Sequence, residues 1–169
     1  MALETCQWDE DLLQVFGIPK KALPEITPSW GEIATTSPEH FLGLDVPITG
    51  NAGDQQAALF GQLAFQKGES KATYGTGAFI LANTAETIVE STHGLLTTVA
   101  WQAPTGQTTY ALEGSVFVAG AAVQWLRDGL GIIEKSSDVE GLAKRVSGSD
   151  GVVFMPALTG LGAPFWQPD

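Results

Sequence analysis

Gly53-Asp54-Gln55-Gln56-Ala57-Ala58-Leu59-Phe60-Gly61-Gln62 is followed shortly by Thr73-Tyr74-Gly75-Thr76-Gly77. The first stretch sets one carboxylate in a turn of small residues ahead of an apolar helix. Ala58, Leu59, Gln62 and Phe65 share a face at helical spacing, which predicts a helix from Gln55 to about Gln66. The second stretch is a glycine-rich turn inside Lys71 to Asn83, which reads as strand, turn, strand. Together they suit chemistry in which a proton leaves a hydroxyl while a phosphate is held nearby.

Outward from this centre the pattern is that of an α/β protein. Residues 7–17 read as a short amphipathic helix with Trp8, Leu12, Leu13, Val15 and Phe16 on its apolar side and Gly17 as its stop. Ile18 to Pro38 holds four prolines and little periodicity, so it is expected to be an extended connector. Val46-Pro47-Ile48-Thr49-Gly50 predicts a short buried strand. Gly94 to Trp101 and Thr108 to Glu113 predict two more strands, joined by the turn sequence Pro104-Thr105-Gly106. Val116 to about Leu130 repeats apolar residues at helical spacing, Asp138 to Val146 predicts a shorter helix, and Gly151 to Pro156 a further strand.

Composition narrows the function classes. Hydrophobic residues make up 44 % of the 169, which argues for a packed globular protein. No apolar run approaches the ~20 residues that span a bilayer, and Met1-Ala2-Leu3-Glu4-Thr5 does not read as a signal peptide. Cys6 is the single cysteine, so an intramolecular disulfide is excluded and a reducing cytoplasm is the expected location. The formal charge of −11, from 19 acidic and 8 basic residues, disfavours a nucleic-acid partner. His40 and His93 are isolated and lack metal-ligand spacing, so no metal ligands are assigned.

Three groups of residues have chemistry to offer. Asp54 is of the right type to accept a hydroxyl proton and orient a nucleophile, with Ala52 and Gly53 permitting close approach and Gln55 placed for an adjacent hydroxyl. It is equally of the right type to cap the following helix. Tyr74-Gly75-Thr76-Gly77 can gather backbone N–H groups and one hydroxyl around an anion, or can simply form a tight turn, and Phe79 can wall a pocket or fill the core. Gly120 and Gln124 lie one turn apart near the expected start of a helix, where small residues admit either a ligand or a packed neighbour.

The order and wording of these segments decide among the alternatives. Val46 through Gln62, Tyr74-Gly75-Thr76-Gly77, Gly94-Leu95-Leu96-Thr97-Thr98, Tyr110-Ala111-Leu112-Glu113-Gly114, Gln124-Trp125-Leu126-Arg127-Asp128 and Gly160-Leu161-Gly162-Ala163-Pro164-Phe165-Trp166 resemble consecutive segments of the FGGY family of carbohydrate kinases. The similarity runs over nearly the whole chain and is weakest over residues 20–45. The Asp54-Gln55-Gln56-Ala57-Ala58-Leu59-Phe60-Gly61 wording resembles the branch of that family that phosphorylates glycerol.

The resemblance implies an actin-like, ribonuclease-H-like ATPase fold, with this chain an internal piece of a longer enzyme. Residues 1–62 would close the first domain and residues 63–169 open the second. It implies transfer of the γ-phosphoryl group of ATP, with Mg²⁺, to the terminal hydroxyl of glycerol by a full-length homo-oligomer. Asp54 corresponds to the general base, Gln55 and Phe79 to substrate contacts, and Thr76, Gly120 and Gln124 to nucleotide-binding positions. The family's N-terminal phosphate loop, an Arg-Glu pair and a tyrosine that hold glycerol would precede Met1, and a late adenosine-binding segment would follow Asp169. The glycine- and arginine-containing loop that serves sugar-bisphosphate inhibition in some members is not recognisable between Thr35 and Val46. Another sugar kinase of the family and a non-catalytic remnant that binds a partner are the competing readings.

Overall fold

In the computed structural model, which describes residues 1–168, the first element begins where a carboxylate meets free backbone donors. Asp9 accepts the N–H of Leu12 at 3.0 Å and starts α1, Glu10–Phe16. Gly17 ends it in the left-handed region at φ 65°, as a glycine after a helix commonly does. Leu13 is the one residue of α1 that is buried, whereas Val15 and Phe16 are 77 % and 71 % exposed. The sequence-derived apolar side of α1 is therefore largely uncovered.

The chain divides into two compact units. The first comprises Met1–Lys71, Leu81–Ser91 and Leu96–Leu112. In it a single 3₁₀ turn, Lys20–Ala22, precedes β1, Trp30–Thr35, which pairs antiparallel with β2, Pro47–Gly50. The register places Trp30 opposite Gly50 and Ala34 opposite Ile48, with an irregularity between Trp30 and Ala34. Two expectations fail here. The proline-rich connector contains strand β1, and every residue of β2 is exposed rather than buried.

Gly53 leads into α2, Asp54–Gly61. The helix stops well short of the expected Gln66, because Gln62 leaves helical geometry and Leu63 adopts φ 59°. Strands β3 (Ser70–Tyr74), β4 (Ala78–Ala85), β5 (Leu96–Gln102) and β6 (Thr108–Val116) hydrogen-bond in the order β3-β4-β6-β5. Both expected strand pairs are present, with β6 running on to Val116. The core of the first unit is Leu59, Ala64, Leu81, Ala100 and Ala111, with Trp101 packed against it. Phe60 adds edge-on contacts to Phe65 and Trp101, centroids 4.9 and 5.4 Å apart, so α2 is anchored by aromatic as well as aliphatic packing. Asn83 is buried and satisfied: its amide donates to the Ala64 carbonyl at 2.8 Å and its Oδ1 accepts from Ala85 N–H at 2.7 Å.

Tyr110 ties the N-terminal segment to β6. It is 6 % exposed and its hydroxyl donates to the Leu3 carbonyl at 2.8 Å. Burial, followed by the nearby Cys6 and Glu4, holds the phenol above its ordinary value. A folded-state value above the unfolded one contributes stability that is intact below pH ~10 and lost as pH rises through the raised value. Unfolding midpoints measured across pH are therefore expected to fall above pH ~10. Tyr110→Phe is expected to remove that part of the fall and to cost about 1 kcal/mol at neutral pH, through the lost hydrogen bond. An identical alkaline fall in wild type and variant would show that Tyr110 is not its source.

The second unit comprises Ala72–Ile80, Thr92–Leu95 and the described residues from Glu113 onward. Its helices are short: α3, Gly120–Gln124, continues into a π-helical turn at Trp125–Gly129, and α4 covers Asp138–Ala143. The helix expected from Val116 starts only at Gly120, since β6 claims the backbone to Val116. The expected strand over Gly151 to Pro156 is absent. Asp150 and Gly151 turn with positive φ, and Val152, Val153 and Met155 lie exposed, with no ladder to satisfy their backbone. Turn hydrogen bonds hold it in part, Val152 N–H to the Ser149 carbonyl and Ala157 N–H to the Met155 carbonyl, both at 2.9 Å, and Trp125 stacks on Phe154 at 5.3 Å; further on, the Trp166 indole N–H donates to the Gly94 carbonyl at 2.6 Å. Among the described residues, no helix is long and apolar enough to cross a membrane.

Candidate functional site

Asp54 does not cap α2. Gly53 occupies the cap position in extended backbone, no side chain makes a capping bond, and Asp54 is the first helical residue. Its carboxylate is exposed; Oδ2 accepts from the Gln55 amide at 3.1 Å, and Oδ1 accepts no hydrogen bond among the described residues. A carboxylate in this state can still take a proton from a hydroxyl brought to it. Gln55 in turn accepts a hydrogen bond at Oε1 from the ammonium of Lys71 on β3. Lys71 is 5 % exposed, so a cation is buried in the first unit with its charge directed at the Gln55 amide. The side chains Lys71, Gln55 and Asp54 thus form a short hydrogen-bonded series whose end is open to solvent.

A separate cavity of about 370 Å³ lies within the second unit. Its lining is Gly75, Thr76, Gly120, Val123, Gln124 and Ser136, so it unites Thr76, Gly120 and Gln124 from distant parts of the sequence. Backbone pairing brings them together. Gly120 N–H donates to the Gly75 carbonyl at 2.9 Å, while Ala119 and Ala121 N–H both donate to the Thr76 carbonyl, at 2.8 and 3.0 Å. The glycines are dictated by this approach: a Cβ on Gly120 would stand 2.5 Å from Gly75 O, and one on Gly77 would stand 2.6 Å from Val116 O. The turn and the start of α3 are therefore seated against each other, with the exposed Thr76 and Gln124 side chains at the cavity.

Phe79 stands half-buried on β4 and does not line that cavity. His40 and His93 are exposed, and no group of three His, Cys, Asp or Glu side chains suited to a metal occurs among the described residues. Arg127 and Asp128 form a two-pronged ion pair at 2.7 and 2.8 Å, which pushes the guanidinium up and the carboxyl down. The pair is solvent-exposed, so it adds little to stability. Sequence reading overlooked Lys71 and Ser136. Neither carried a usable signal in the sequence: Lys71 shows its role only through its burial on the same face of β3 as Thr73.

Comparison with known proteins settles the lineage. Residues 70–169 match the FGGY family of carbohydrate kinases, C-terminal domain, and residues 1–61 match its N-terminal domain. The chain belongs to the FGGY family of carbohydrate kinases. It is 59 % identical to a glycerol kinase of Bdellovibrio bacteriovorus over its whole length and 54 % identical to one of Thermus thermophilus over 99 % of it. This FGGY chain spans 34 % of the length of each of those relatives. Among solved structures, Plasmodium falciparum glycerol kinase with ADP superposes on the entire chain with a TM-score of 0.85 at 41 % identity, the chain covering 34 % of it. A ligand-bound xylulose kinase from Lactobacillus acidophilus matches 98 % of the chain with a TM-score of 0.79 at 27 % identity, again over 34 % of its own length. The fold is accordingly the actin-like ATPase fold of the FGGY sugar kinases, represented here by a section of it.

Proposed function

We propose that this chain is the central part of an enzyme that transfers the γ-phosphoryl group of ATP to the terminal hydroxyl of glycerol, giving glycerol 3-phosphate. The observation that carries the reading is Asp54: an exposed carboxylate at the head of α2, free of a capping role and with one oxygen open. In the proposed reaction Asp54 accepts the hydroxyl proton and aligns that oxygen with the phosphorus. Gln55 and Phe79 contact glycerol, and Thr76, Gly120 and Gln124 hold the nucleotide. Glycerol is preferred to a pentulose because the glycerol kinases match at 54–59 % identity and the Lactobacillus xylulose kinase at 27 %.

The proposed domain boundary falls near residue 62, between the two family matches. Mg²⁺ would travel with the nucleotide, held mainly by phosphate oxygens and water, as this ion ordinarily is. A homo-oligomer working in the cytoplasm completes the proposal.

The test is ATP-dependent phosphorylation by the chain with the flanking sequence of its gene, offered glycerol and a pentulose in competition. Turnover of glycerol supports the proposal, turnover of the pentulose alone reassigns the substrate, and no turnover favours a partner-binding remnant. The 169 residues by themselves are expected to show negligible turnover, since they span 34 % of the relatives' length. Robust phosphorylation by the isolated chain would contradict that expectation.

A further inference from the structure

We propose that Lys71 is a positioning residue for the phosphoryl-transfer site, acting on Asp54 through the amide of Gln55. The inference rests on the reading of Asp54 as the base and extends it to a residue on a different element. A primary amide presents one accepting and one donating end, and the two exchange places when it rotates by half a turn. Beside Asp54, one orientation offers an N–H to the carboxylate and the other offers a repelling carbonyl. An ammonium group only donates, so Lys71 accepts Oε1 as its neighbour and leaves Nε2 to face Asp54. The polarity of the Gln55 side chain is thereby set from β3, not from the helix that carries it.

Burial gives this arrangement its grip. Lys71 is 5 % exposed on the paired strand β3, whereas Asp54 is exposed at the first turn of α2, where side chains are otherwise free to move. A cation kept out of water requires its acceptors, so the lysine holds Gln55 more firmly than a solvent contact would. Gln55 then holds Oδ2 of Asp54 and leaves Oδ1 without a hydrogen bond among the described residues. Without the lysine the amide is free to rotate, and both the hydroxyl contact of Gln55 and the aim of Asp54 are lost together.

The experiment compares wild type, Lys71→Met and Lys71→Arg in the full-length enzyme, with glycerol and ATP varied separately. Lys71→Met keeps length and burial but cannot donate; misplacement of the base on the scale of an ångström is expected to lower kcat on the order of a hundredfold. KM for glycerol is expected to rise with it while KM for ATP stays put, and Lys71→Arg, which still donates, is expected to recover most of both. A fall in kcat alone that merely tracks the fraction of folded protein, without a change in KM for glycerol, would overturn the proposal. So would Lys71→Arg failing to recover activity while folding normally.

The crystal structure of the Lys71→Met enzyme is a second readout, independent of turnover. Gln55 displaced from Asp54 supports the proposal, and Gln55 unmoved overturns it. If wild type phosphorylates neither glycerol nor a sugar, the functional reading fails, and the position of Gln55 still decides whether Lys71 sets it. If Lys71→Met does not fold, Lys71→Gln, neutral and able to turn either amide end toward Gln55, takes its place with the same expected direction.

Discussion

Asp54→Asn in the full-length enzyme is expected to lower kcat for glycerol phosphorylation by about 10²–10⁴-fold, the usual worth of a positioned general base. The substitution keeps the shape of the side chain and removes its capacity to take a proton. It is also mild structurally. Gly53 rather than Asp54 sits at the cap of α2, and the hydrogen bond that Asp54 accepts from the Gln55 amide can be accepted by the Asn oxygen too. The unfolding free energy is accordingly expected to stay within about 0.5 kcal/mol of wild type, as for other exposed substitutions. The diagnostic is this separation, a large kinetic loss at constant stability, read by steady-state kinetics and denaturant titration on one preparation. Equal activity in the two proteins would remove Asp54 from the chemistry and leave it an ordinary first-turn acid.

Gly120→Ala is expected to act on the nucleotide side by moving backbone. The new methyl would lie 2.5 Å from Gly75 O and 3.3 Å from Gly75 C, and neither atom belongs to a side chain that could swing away. Either α3 or the Gly75–Gly77 turn must shift, and both line the cavity that Thr76 and Gln124 face. Overpacking of this kind typically costs ~1–3 kcal/mol. KM for ATP is expected to rise on the order of tenfold or more, because small displacements of positioning groups are expensive, with KM for glycerol little changed. Gly141→Ala supplies the control: Gly141 lies inside α4 with open space where its Cβ would go, so alanine there is expected to be neutral or to stabilise by about 0.5–1 kcal/mol. If the two substitutions behave alike, the close contact between α3 and the turn is not what Gly120 provides.

Much of the local architecture was legible because it depends on neighbours in sequence. The hairpin around Gly75–Gly77 follows from two β-rich runs and a glycine turn, and α1 stops at Gly17 because a glycine there takes φ 65° without strain. Strand β1 was illegible for the opposite reason. Its sequence, Trp30-Gly31-Glu32-Ile33-Ala34-Thr35, does not alternate apolar and polar residues, and its burial alternates over Trp30–Ala34 only in the folded chain, where β2 pairs with it. The helix expected from Val116 is present but starts late for the same reason, since pairing within the sheet extends β6 to Val116 and delays α3 to Gly120. At the candidate site, Asp54 and Thr76 were legible as residue types, but Lys71 was not, because a lone lysine in a strand ordinarily reads as solvated surface.

By itself the sequence determined the chemistry on offer: one carboxylate at a helix head, a glycine turn, and an ordered set of segments that places the chain in the FGGY kinases. Only the tertiary structure decided which of those groups meet. It brought Thr76, Gly120 and Gln124 to one cavity, relieved Asp54 of capping, and buried the Lys71 ammonium against Gln55. The physical reason is that side-chain type and local period are encoded residue by residue. Burial of a charge and the meeting of distant backbone segments arise only when strand pairing and core packing are complete.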